Sequence, residues 1–156
     1  MANGKERIRF TRQEISLINL FDSITGASTV DCAILPDKGT NGETERIIFM
    51  VHKRDLTKAL GKNGINVKKL KDKLSKSIDI IVYSDDLFSF IRDIFYPIKI
   101  RGIEDKKLAD GRRIIIVHVD TRDLGLAIGK NGRNIHRAKF FVRRHFNVDN
   151  LIITGP

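Results

Sequence analysis

Cysteine is almost missing from this chain, with Cys32 the single example. One thiol excludes an intramolecular disulfide, is too few for a structural zinc site, and fits a reducing, cytoplasmic setting. Lying in an apolar stretch, Cys32 reads as buried and inert. Long apolar runs are missing too: none approaches the length needed to cross a bilayer, so no membrane partner is expected. Behind Met1, the stretch from Ala2 to Arg7 is polar and lacks the apolar core of a secretory signal. Neither Lys62 nor Lys130, each beside glycines, is followed by Ser or Thr, which argues against a Walker-type phosphate loop with its magnesium ligand. His52, His118, His136 and His145 show no metal-ligand spacing and read as surface or structural residues. The chain is therefore expected to bind rather than to catalyse, with no metal and no cofactor.

What is abundant is positive charge. The net charge is +10, which points to a polyanionic partner. Its distribution is uneven. Residues 53–76 carry nine Lys and Arg against two Asp, a net of +7. Residues 121–145 carry seven against one, a net of +6, which leaves −3 for all the rest. A merely solvated Lys-rich surface would mix both signs.

These two segments contain a repeat. Leu60-Gly61-Lys62-Asn63-Gly64 recurs as Ile128-Gly129-Lys130-Asn131-Gly132, 68 residues later. Arg54, Asp55, Leu56 and Ala59 recur as Arg122, Asp123, Leu124 and Ala127, and Asn66 recurs as Asn134. One Gly-x-x-Gly is a weak signal, but two at a fixed offset with matching flanks are not chance.

The secondary-structure pattern repeats with it. Thr11-x-x-Glu14 is a capping-box pattern, followed by Ile15, Ile18, Leu20, Phe21 and Ile24 at helical spacing and by Gly26 as a stop. Residues 29–35 read as a strand, and Pro36, Asp37, Gly39, Asn41 and Gly42 as a loop. Residues 46–51 form a second strand and 53–60 a short helix broken at Gly61. Residues 65–76 form a helix with Val67, Leu70 and Leu74 on one face, and 78–83 a third strand. Ser84-Asp85-Asp86 offers a cap, and the order restarts with an apolar helix (Leu87, Phe88, Phe90, Ile91, Ile94, Phe95) ended by Pro97. A strand over 98–103, a charged turn over 104–111, a strand over 113–119 and a helix over 122–128 follow. A helix over 134–145, with Ile135, Ala138 and Val142 inward, and a strand over 151–153 complete the copy. Phe140, Phe141 and Phe146 read as core rather than as base-stacking residues. With no Pro- or Ser-rich linker, two domains, 1–84 and 85–156, are expected to pack against each other as a monomer.

The repeated tetrad suits a phosphate chain. A helix that stops and restarts at Gly-x-x-Gly presents outward backbone amides and a positive dipole end. Glycines let a sugar-phosphate chain approach closely, and Asn tolerates unusual backbone angles. Lys62 and Lys130 add mobile charge. Asn66, Lys68 and Lys69 in one copy, and Arg133, Asn134 and Arg137 in the other, add donors. Arg54 and Arg122 either face the same ligand or pair with the neighbouring Asp.

This arrangement resembles the KH domain, in which a GXXG loop between two helices clamps four single-stranded nucleotides. The order helix-strand-strand-helix-helix-strand resembles its type II form. The implied fold is α+β: two tandem KH domains, each a three-stranded mixed sheet packed against helices. The implied RNA-binding residues are Gly61, Lys62, Asn63, Gly64, Asn66, Lys68 and Lys69, and Gly129, Lys130, Asn131, Gly132, Arg133, Asn134 and Arg137. An apolar floor for bases would comprise Leu56, Leu60 and Ile65, then Leu124 and Ile128, with Arg133 standing where the first copy has Ile65.

Two adjacent type II KH domains resemble the RNA-binding part of the NusA family, and the short form resembles its archaeal members. NusA's N-terminal polymerase-binding domain and oligonucleotide-binding barrel find no counterpart in these residues. The resemblance implies single-stranded RNA as partner, held by both clamps along one basic surface. It also implies a setting in transcription elongation, termination or antitermination, with RNA polymerase or other transcription factors as further partners. A role in translation or ribosome assembly is the alternative that the same motifs would serve.

Overall fold

The computed structural model describes residues 8–39 and 42–156. The polar stretch 2–7, and Asn41 of the expected loop, lie outside the described residues. The chain divides into two compact units, one ending at Asp85 and the other starting at Asp86.

The first unit begins with α1 (Arg12–Thr25). Its capping box is complete: the Thr11 hydroxyl accepts from the Glu14 amide at 3.1 Å, and the Thr11 amide donates to Glu14 Oε1 at 2.8 Å. Gly26, at φ 74°, ends the helix in the left-handed conformation. Then come β1 (Thr29–Gly39), β2 (Gly42–His52), α2 (Leu56–Leu60), α3 (Ile65–Leu74) and β3 (Ser77–Tyr83). A 3₁₀ turn, Lys53–Asp55, leads into α2.

The sheet order is β1-β2-β3, antiparallel then parallel, so β2 is central. Ile47, Phe49 and Val51 of β2 share a buried cluster with Leu17, Phe21, Ala59 and Leu70 of the helices. The rings of Phe21 and Phe49 stack at 4.2 Å. Cys32 is fully buried in β1. Arg46, at the edge of this core on β2, is also fully buried, with Asp79 of β3 3.5 Å away.

Two details differ from the sequence reading. The inward face of α1 carries Leu17 rather than Ile15, which is exposed. Strand β1 runs on through Pro36 to Gly39 instead of giving way to a loop at Pro36. As an edge strand, β1 tolerates a residue with no N–H to donate.

The second unit repeats the plan with α4 (Leu87–Phe95), β4 (Ile100–Lys107), β5 (Arg113–Val119), α5 (Leu124–Ile128), α6 (Arg133–Phe146) and β6 (Asn150–Thr154). Its sheet order is β4-β5-β6, again antiparallel then parallel. The register slips at the same place in both copies, between Thr29 and Asp31 and between Ile100 and Gly102. Asp86 caps α4 through Oδ2, which accepts from the amide of Ser89 at 2.9 Å and its hydroxyl at 2.7 Å. These bonds, chiefly that of the Ser89 hydroxyl, hold the Asp86 carboxyl below its ordinary range. The core joins Phe90, Ile91, Ile94 and Phe95 to Ile115, Val117, Ala138, Phe141, Val142 and Leu151.

Residues 104–107, expected as a turn, extend β4. Polar cross-strand partners hold them there: Asp105 pairs with Arg113 at 2.7 Å and Glu104 hydrogen-bonds His118 at 2.6 Å. Among the described residues, no helix is long and apolar enough to cross a membrane.

Candidate nucleic-acid interface

Each short helix ends because its last residues run into a glycine. The amide of Gly61 closes α2 on the carbonyl of Thr57 at 2.9 Å, and that of Gly129 closes α5 on Gly125 at 2.9 Å. The backbone then leaves the helical region. Gly61 sits at φ 73°, ψ 172° and Gly129 at φ 82°, ψ 165°, a region essentially reserved for glycine. Asn63 (φ 56°) and Asn131 (φ 57°) are left-handed, as are Gly64 (φ 70°) and Gly132 (φ 73°). Three of the four tetrad residues therefore need positive φ, which explains two glycines and an asparagine. Short bonds close the turn: Gly64 N–H donates to Gly61 at 3.2 Å, and Gly132 to Gly129 at 3.0 Å. Neither these nor the bond from Ile65 to Lys62 uses the amides of Lys62 and Asn63, which lead the turn.

The two glycines of a tetrad have different surroundings. A Cβ on Gly61 would stand 2.8 Å from Ile65 Cγ2 and 2.9 Å from Asn66 Nδ2. A Cβ on Gly129 would stand 2.9 Å from the Asn134 amide group and its backbone nitrogen. A Cβ on Gly64 would meet nothing within 4 Å. A Cβ on Gly132 would stand 3.7 Å from Ile135 Cγ2, an ordinary contact, so the second glycine is the less crowded side of each turn, fully open in the first copy.

Lys62, Asn63, Lys130 and Asn131 are exposed at the tips, as are Lys68 and Lys69 on the first turns of α3. Among the described residues, Lys62, Lys68, Lys69 and Lys130 form no ion pair. Acidic partners are instead concentrated on the second sheet: Arg101 is bidentate on Asp120, at 2.9 and 2.7 Å, and Arg113 on Asp105, at 3.0 and 2.7 Å. The hydrogen bond from Arg101 holds the Asp120 carboxyl below its ordinary range, and that from Arg113 does so for Asp105. Arg122 is highly exposed and lies 3.6 Å from Asp120, rather than against the adjacent Asp123.

Three of the residues read as ligand donors are engaged within the protein. Asn66 is buried and its Nδ2 donates to the carbonyl of Lys58 at 3.1 Å. Asn134 does the same to Leu126 at 2.9 Å. Arg137 reaches the carbonyl of Ile94 in the last turn of α4 at 3.2 Å, where a cation suits the helix C-terminus. Of the expected apolar floor, Leu60 and Ile65 are exposed, whereas Leu56, Leu124 and Ile128 are half-buried. The copies differ on α5: Leu126, 64% exposed, stands where α2 has Lys58. Phe141 is buried, and Phe140 lies under the Arg144 guanidinium at 4.7 Å. The internal partners of Asn66 and Asn134 are backbone carbonyls, which leave no trace in residue identity. Only the recurrence of Asn at the same offset signals them.

The sequence has relatives. A model described as the NusA-like second KH domain matches residues 87–154. The probable transcription termination protein NusA of Methanococcus vannielii is 37% identical over 149 residues, 96% of this chain and 81% of the relative. The chain belongs to the NusA family. A NusA relative from Methanocaldococcus jannaschii, with the same description, is 32% identical over 93% of this chain and 74% of its own. Among solved structures, the crystal structure of APE1850 is similar, with a TM-score of 0.77 and 31% identity, over 93% of this chain and all of that one. The matched domain of this NusA-like chain places Gly129–Gly132 between α5 and α6, and the first unit puts Gly61–Gly64 at the equivalent point.

Proposed function

We propose that each Gly-Lys-Asn-Gly turn clamps the sugar-phosphate backbone of single-stranded RNA. The chain then works by binding, without covalent chemistry, in transcription elongation, termination or antitermination. The observation that carries this reading is the turn itself. It appears twice with closely similar backbone angles, an exposed lysine at its tip and a second glycine that no neighbour crowds. Leading amides and an exposed ammonium together suit phosphate oxygens. The names of the relatives, transcription termination protein NusA, support the setting. RNA polymerase or other transcription factors are the protein partners that this setting calls for.

The test is titration of a labelled single-stranded RNA of about ten nucleotides, sized for two four-nucleotide clamps. The wild type is compared with Lys62→Asp/Asn63→Asp, with Lys130→Asp/Asn131→Asp, and with all four changes together. Each pair is expected to weaken binding and the combination to abolish it. Unchanged binding in all three variants would sink the clamp reading.

A further inference from the structure

We infer that Asn66 and Asn134 are positioning residues of the two clamps, tying the helix before each turn to the helix after it. This rests on the clamp reading but assigns these asparagines a different task from contacting RNA.

The two copies give the same geometry. Asn66 Nδ2 donates at 3.1 Å to the carbonyl of Lys58, and Asn134 Nδ2 donates at 2.9 Å to that of Leu126. Each bond spans eight residues and bridges the turn from its far side. The acceptor lies in the last turn of a five-residue helix, where carbonyls have no intrahelical partner. A helix that short does not hold itself together in water. The amide bond therefore satisfies an orphan acceptor and fixes the direction from which the chain enters the tetrad.

The first glycine is fitted to this asparagine. At both positions a Cβ would come within 2.9 Å of the asparagine amide nitrogen. Glycine at 61 and 129 thus leaves space for the tie, whereas a Cβ at Gly64 would meet open space and one at Gly132 only an ordinary 3.7 Å contact with Ile135. Asn66 is only 8% exposed, so little of it remains for a ligand. The side chains at the acceptor residues differ, Lys58 against Leu126, yet the bond is the same because its acceptor is backbone.

A tied turn presents Lys62 or Lys130 and the leading amides in one orientation, so RNA need not order them on binding. Asn66→Ala and Asn134→Ala are each expected to weaken binding of the ten-nucleotide RNA about tenfold, the scale of one lost hydrogen bond. They are expected to leave the salt dependence unchanged, since no phosphate contact is removed. Lys62→Ala and Lys130→Ala should instead lower the salt slope. Leu74→Ala, at the far end of α3, lowers thermal stability without touching the tie and should leave affinity unchanged well below its melting temperature.

Amide hydrogen exchange gives a readout that needs no RNA. The Gly64 and Gly132 amides should exchange faster in the Ala variants and in Asn66→Asp and Asn134→Asp, which keep the shape and lose the donor. Wild-type affinity or wild-type exchange in the Asn variants would overturn the tie. So would a salt slope reduced as in the Lys variants, which would make the asparagines phosphate donors. If the Lys variants bind as the wild type does, the clamp reading fails, and exchange still decides the tie.

Discussion

Gly61 and Gly64 bracket one turn but are glycines for different reasons, and substitution should separate them. Gly64→Ala meets no atom and keeps only the left-handed strain, on the order of 1 kcal/mol. Gly61→Ala combines a glycine-only backbone region with contacts under 3.0 Å, and is expected to cost on the order of 3 kcal/mol. Denaturant unfolding measures both, and RNA titration should show weaker binding for both, for Gly61→Ala because its Cβ displaces the Asn66 tie. Gly64→Ala occupies the open side and should weaken binding more than its stability loss accounts for. The tetrad was legible in sequence because its glycines, asparagine and lysine are all side-chain choices. The ties of Asn66 and Asn134 were not, because a carbonyl eight residues back belongs to any residue at all. The bond from Arg137 was hidden for a related reason: its acceptor, the Ile94 carbonyl, lies on a helix 43 residues away.

At the scale of elements, the β4–β5 pair carries its charges as partners, and this makes it acid-sensitive. Hydrogen bonds from Arg113 and Arg101 hold Asp105 and Asp120 below their ordinary pKa. A carboxyl depressed in the folded state adds stability above its unfolded pKa, about 3.9, and loses it as pH falls through the lower folded value. The thermal midpoint of the wild type should therefore drop as pH is lowered below about 4. Asp105→Asn/Asp120→Asn should begin lower at pH 7 and fall less on acidification, as calorimetry at several pH values would record. On α1, Thr11→Ala removes one half of the capping box and should cost about 1 kcal/mol. The cap was readable because its partners are three residues apart. The extensions of β1 through Pro36 and of β4 through Lys107 were not, since strand pairing joins residues that local composition marks as loop.

For the whole molecule, electrostatics dominate. The positive excess sits on the two repeated segments while the remainder is slightly acidic, so association with RNA should be strongly salt-dependent. For single-stranded nucleic acid, each phosphate contact contributes about 0.7 to the slope of log affinity against log salt. Lys62→Ala and Lys130→Ala should each reduce the slope by about that amount, and their combination by the sum, in titrations between low and moderate salt. A slope unmoved by either change would assign the long-range attraction to other cations, such as Lys68 and Lys69.

Cys32 lends itself to spectroscopy. Because the one thiol of the chain is sealed inside the first unit, a cysteine placed at an exposed tip would be the sole site open to a maleimide dye. Lys62→Cys and Lys130→Cys therefore give singly labelled protein without first removing a native thiol. The double variant takes a donor and an acceptor, and its energy transfer would report the separation of the two tips in the free protein.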